Sequence, residues 1–232
     1  MSAILTLLWK EYRGNLHLII VGLTVLLLPV LLAFSMTYAN SDSNSLIQII
    51  GVGLLFGTVA SLVLSQGMLI CLGGFLIGGE RTARTFEFLF NQPVSRSKIV
   101  ISKLVFALAW IVIVWLIGGG MLLIGQQLTE SGRGFDLAAL GINFFIDVGI
   151  SGLMLFSACW LASNLIDGSI LAMAVGTLAA AFLFFFTQVM TTRYGSVVTW
   201  GDVDGTRVVV FGSLSALFIV KGARLFVGRK SP

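Results

Sequence analysis

Charge is scarce in this sequence: Asp, Glu, Lys and Arg make up 10% of its 232 residues, against about a quarter in a soluble domain. No soluble module is therefore expected in the chain. Histidine occurs once, as His17, and cysteine twice, as Cys71 and Cys159. Both cysteines fall inside apolar runs and read as small buried hydrophobes rather than metal ligands or a disulfide pair. One imidazole and two thiols do not build a metal site, and no cofactor is expected on this chain. The sequence also lacks G-x-x-x-x-G-K-[ST], the phosphate-binding loop of an ATPase. The stretch "GGERTAR" at 78–84 has no Gly-Lys-Ser ending and follows no strand. No His, Asp and Ser stand at catalytic spacing, which disfavours an enzyme. The net charge of +4 does not argue for nucleic acid, because the basic residues flank apolar runs instead of sharing one face of a soluble fold. The opening "MSAILTLLWKEYRG" places its charges after a short apolar run and has no small-residue cleavage pattern, unlike a secretory signal. The first long apolar run is expected to be a retained anchor.

What is abundant is apolar surface. Hydrophobic residues make up 57% of the chain and the mean hydropathy is +1.03, values that call for a bilayer as solvent. Crossing its hydrocarbon takes roughly 20 helical residues. Six runs are long enough: about 17–37, 53–78 with 46–52 as an outer extension, 102–125, 139–163, 168–189 and 207–227. The expected fold is all-α, a polytopic membrane protein with six transmembrane helices in a single domain over 1–232.

The charges choose the side. Lys10, Arg13, Arg81, Arg84, Arg96, Lys98, Lys103, Lys221, Arg224, Arg229 and Lys230 fall on one side of the six runs, eleven of the 14 basic residues. The other side holds Arg133, Arg193 and Arg207, mixed with Asp42, Glu130, Asp136, Asp202 and Asp204. The positive-inside rule puts both termini and the 80–103 loop in the cytoplasm; the expected location is the cell's inner (cytoplasmic) membrane. In "SAILTLLWKEYRG", Ile4, Leu5, Leu8 and Tyr12 share one helical face, while Thr6, Lys10 and Arg13 lie on another. That pattern suits an amphipathic helix on the cytoplasmic surface, with Trp9 at headgroup level. A cytosolic extension of the first span is the alternative.

The loop "ERTARTFEFLFNQPVSRSK" is the most polar long stretch. Phe86, Leu89 and Phe90 line one side of a short helix, with Glu87 and Asn91 on the other. Pro93 ends it, and Ser95 or Ser97 can cap the helix that follows. The result is an elbow helix with an apolar face and charged corners, suited to docking a cytoplasmic partner. A solvated loop with ordinary positive-inside charge is the plainer reading of the same residues.

These residues resemble the permease subunits of ABC-2-type transporters. Such permeases carry Glu at the cytoplasmic end of the second helix, then a Gly-Thr pair, a short Leu-rich helix, "PVSR" and a Lys before the third helix. Here Glu80 and Arg81 are followed by Thr85, Phe86, Glu87, Phe88, Leu89 and Phe90. Pro93, Val94, Ser95 and Arg96 come next, and Lys103 closes the set. The family's Gly before Thr is Arg84 in this chain. The opening "LWKEYRG" is also similar to the family's. The resemblance covers the whole chain in topology and is specific over about 78–105. It implies a permease that pairs with a second, identical or homologous permease subunit and with a separate ABC ATPase, which binds the short cytoplasmic helix. ATP and Mg would reside on that ATPase. It further implies an exporter, with Glu80, Arg84, Thr85, Glu87, Asn91 and Arg96 as coupling residues.

Three polar residues fall inside the apolar runs. Asp147 lies eight residues beyond the expected start of the fourth span, about 12 Å along a helix axis. A lipid-facing carboxylate there is costly, so it is expected to face the bundle, a dimer seam or a water-filled path. A structural hydrogen bond and a shallow interfacial place stay open for it. Gln66 is mid-span and expected to face the bundle; Gln188 is near the end of the fifth span. Gly118–Gly120, Gly149 and Gly152 allow close helix approach, and the phenylalanines at 182–186 are expected to contact lipid. The segment between the last two spans, with Asp202 and Asp204, is similar to the short re-entrant elements of the same family and is weak as a metal site. An ion-coupled secondary transporter and a membrane scaffold remain the alternatives to a permease.

Overall fold

The computed structural model describes residues 3–39, 46–82, 95–130, 137–194, 199–200 and 203–228. Among them are seven helices: α1 (Ala3–Gly14), α2 (Leu16–Ala39), α3 (Leu46–Thr82), α4 (Arg96–Glu130), α5 (Leu137–Leu165), α6 (Ser169–Tyr194) and α7 (Gly205–Gly228). Six of them, α2 to α7, are long and apolar enough to cross a membrane. The fold is all-α but for β1 (Thr199–Trp200) and β2 (Val203–Asp204), which pair antiparallel over two residues each between α6 and α7.

Two helices run longer than their apolar cores. α3 continues unbroken across Gly51, Gly53 and Gly57, and α4 begins at Arg96 rather than at about 102. A helix keeps its own backbone hydrogen bonds past the hydrocarbon edge, so it need not stop where apolarity does. Ser95 sits at the cap position of α4, its carbonyl accepting from Lys98 N at 2.9 Å. Between α5 and α6 the chain reverses within three residues. Gly168, at φ +119°, allows that turn.

The chain forms two compact units. One comprises Met1–Leu16, Leu69–Trp110 and Ile150–Pro232; the other comprises His17–Met68 and Ile111–Gly149. In the first, Met154, Ala158, Ala180 and Phe211 form an apolar core flanked by Leu155, Leu183 and Phe218. Glycines bring its helices close. A Cβ on Gly73 would stand 2.6 Å from the Phe156 carbonyl oxygen, and one on Gly176 2.6 Å from Cys159 Cα. Cys159 is fully buried there, as a small hydrophobe should be, with its sulfur 3.8 Å from Thr177 Oγ1. Phe182, Phe184, Phe185 and Phe186 are exposed along α6, the positions expected to meet lipid.

In the second unit, α2 and α3 approach at Gly53 and Gly57, whose missing side chains leave room for the α2 backbone at Phe34 and Val30. Ser61 donates to the Leu26 carbonyl oxygen across that contact. Gly118 faces Leu62, and Gly119 faces Phe145, as the close-approach reading requires. Gly120 has open space around it. Trp115 lies against Gly149, with its ring 5.6 Å from that of Phe145.

Candidate functional site

The end of α3 and the start of α4 bound the loop that the sequence singles out. α3 is clamped where it approaches that loop: a Cβ on Gly78 would stand 2.9 Å from Ser169 Cα, and Gly74 lies against the Met173 side chain. Glu80 is in the last turn of α3, and Arg96, partly exposed, is the first residue of α4. The positions of Arg84, Thr85, Glu87 and Asn91, and with them the elbow helix, lie outside the described residues.

Beside these helix ends is an ion pair the sequence reading did not single out. Lys103, one helical turn after Ile99 on α4, is 1% exposed, and Glu11 on α1 is 5% exposed. Lys103 Nζ lies 3.1 Å from Glu11 Oε1 and donates to the Leu76 carbonyl oxygen of α3 at 2.8 Å. Asn15 Nδ2 donates to the second Glu11 oxygen at 3.4 Å. Three helices therefore meet on one ammonium group. Removing one partner from such a pair strands a buried charge and costs on the order of 3–5 kcal/mol, whereas replacing both by apolar residues of like volume is close to neutral.

The pair also shows which residues of α1 pack inward. Leu7 and Glu11, four apart, are buried, while Leu5, Trp9 and Tyr12 are exposed. Trp9 and Tyr12 stack at 5.5 Å on the open side. α1 is amphipathic: Leu7 and Glu11 face the protein, and Leu5, Trp9 and Tyr12 lie on the open side that the surface-helix reading gives to lipid. The sequence held a signal for this. Glu11 is the first acid in the chain, and Lys103 is the last cation before the long apolar run of α4; a lysine inside a span calls for a counter-charge.

The intramembrane polar residues form separate arrangements. Gln66 Nε2 donates to the Val148 carbonyl oxygen at 3.1 Å, tying α3 to α5 in the second unit. Its Oε1 is buried and has no hydrogen-bond partner among the described residues. Asp147, adjacent to Val148, is half-buried, ten residues past the start of α5, or about 15 Å along it. Gln188, exposed near the end of α6, accepts from Arg207 of α7, whose guanidinium stands 5.9 Å over the Phe184 ring. Gln188 thus joins two helix ends in the first unit. Among the described residues no three His, Cys, Asp or Glu side chains gather where they could hold a metal.

The arrangement is that of a helical membrane protein whose polar groups brace helices. No curated protein and no solved structure matches the chain. The family of ABC-2 family transporter proteins matches residues 4–188, from α1 into α6. With most of its length matched and six apolar spans, this chain belongs to the ABC-2 transporter family, as a multi-pass membrane permease component.

Proposed function

We propose that this chain is the transmembrane subunit of an ATP-driven exporter, working with a separate ABC ATPase and a second permease subunit, identical or homologous. The observation that carries this is the family match over 4–188. Permeases of the family generally pair with an ABC ATPase, and this sequence has no phosphate-binding loop of its own. ATP and Mg then belong to the partner. Residues 1–232 act as one transmembrane domain in the cytoplasmic membrane, with both termini inside; eleven of 14 basic residues support that orientation. Glu80, Arg84, Thr85, Glu87, Asn91 and Arg96 form the ATPase-facing corner. Asp147 faces the bundle, the dimer seam or a water-filled path, and Gln66 faces the bundle. Gln188 has a bracing role.

The test is co-purification of the ATPase with the tagged permease, followed by ATP hydrolysis in reconstituted membranes. Wild-type permease should retain the ATPase. Glu87→Lys reverses a charge on the docking corner beside Arg84 and should lower ATPase retention severalfold at equal permease levels. A wild-type permease that retains no ATPase overturns the reading. Full retention by Glu87→Lys removes that residue from the corner.

A further inference from the structure

We propose that Glu11 and Lys103 set the register of α1, making it a force-transmitting part of the permease instead of a passive float on the membrane surface. The role in coupling rests on the ATPase reading above; the register claim does not.

The inference starts from what the ion pair costs and what it cannot do cheaply. Both side chains are almost fully buried, so each gives up its hydration, and apolar residues of like volume would hold α1 about as firmly. What apolar contacts do not supply is a penalty for sliding. Leu7 packs against whatever apolar surface faces it. Glu11 does not: one helical turn of slip, about 5.4 Å, carries its carboxylate away from Lys103 and strands two charges. A buried polar pair used this way specifies register. Lys103 also donates to the Leu76 carbonyl oxygen, so the same nitrogen sets the spacing between α3 and α4. Those two helices end and begin at Thr82 and Arg96, the two points from which the docking loop is suspended. A push on the loop that displaces the start of α4 is then transmitted to α1 through one salt bridge.

The test uses the double variant Glu11→Met/Lys103→Met, which removes both charges of the pair. Single-charge variants are avoided because they are expected to misfold. In a background with Cys71 and Cys159 replaced by Ala, spin labels go on Arg13→Cys of α1 and Ser97→Cys of α4, both exposed positions. Full-length protein in lipid nanodiscs should give one narrow interlabel distance when the ion pair is intact. The double variant should fold and melt near the parent, but its distance distribution should broaden at least twofold or split. An equally narrow distribution in the double variant overturns the register claim.

The second readout is the permease–ATPase complex. The double variant should still retain the ATPase but lose about tenfold in substrate-stimulated ATP turnover. Undiminished turnover overturns the force-transmitting role. If the wild-type permease binds no ATPase, the proposed function fails, while the label distances still decide whether the pair sets register.

Discussion

A single carboxylate, Asp147, tests how far chemistry can be read from one residue. It stands out in the sequence because it interrupts an apolar run, and it is half-buried on α5. Its neighbour Val148 shares in a bond that no sequence inspection reveals, since the acceptor is a backbone carbonyl and every residue has one. We expect Asp147→Asn to keep the permease assembled with its partner and to lower substrate-stimulated turnover about tenfold, equivalent to roughly 1.4 kcal/mol in barrier height. Normal stimulation and transport would exclude a role for the charge. Gln66→Leu is the structural comparison: it removes the bond to Val148 but also removes a buried amide oxygen with no partner. Those effects oppose one another, and the melting temperature should change by only a few degrees, within about 1 kcal/mol of stability. Glu11 was invisible for a related reason. Its charge was legible, but its direction depends on Lys103, which lies 92 residues away in sequence.

At the scale of helices, apolar run length located all six spans and the extended start of α3, and it placed the start of α4 about six residues late. The role of the glycines near the start of α3 is not legible in the sequence, because their partner is on another helix. In the structure they are contact points: Gly53 and Gly57 face the backbone of α2, whereas Gly67 faces open space. The two kinds of glycine should respond oppositely to the same change. Gly57→Ala forces Val30 and its helix outward and should cost about 1–3 kcal/mol, lowering the detergent melting temperature by several degrees. Gly67→Ala meets nothing and should be neutral or slightly stabilising, because alanine loses less backbone freedom in a helix. Equal melting temperatures for the two variants would mean that the α2–α3 contact does not limit stability. The two-residue pairing of β1 and β2 was not legible at all, since so short a ladder leaves no periodicity to read.

For the whole molecule, the positive-inside pattern makes a prediction about sidedness. In a background without Cys71 and Cys159, a membrane-impermeant thiol reagent added outside intact cells should label Glu130→Cys but not Arg96→Cys. The reverse pattern would invert the topology and remove the cytoplasmic loop on which the ATPase reading depends. The unequal burial of the spans bears on how the chain is made. Only 11% of the most apolar window of α2 is buried, against 56% for α3. α2 is mostly open along its length, while α3 carries Ser61 and Ser65 on a buried face, each hydroxyl donating within its own helix to the Gly57 and Leu62 carbonyl oxygens. Ser61 also reaches the Leu26 carbonyl oxygen on α2, synthesised a few seconds earlier at about 5–20 residues per second. The order of translation therefore delivers the more buried helix to a partner that is already made. The nascent α2–α3 hairpin becomes the first piece of tertiary structure the cell assembles.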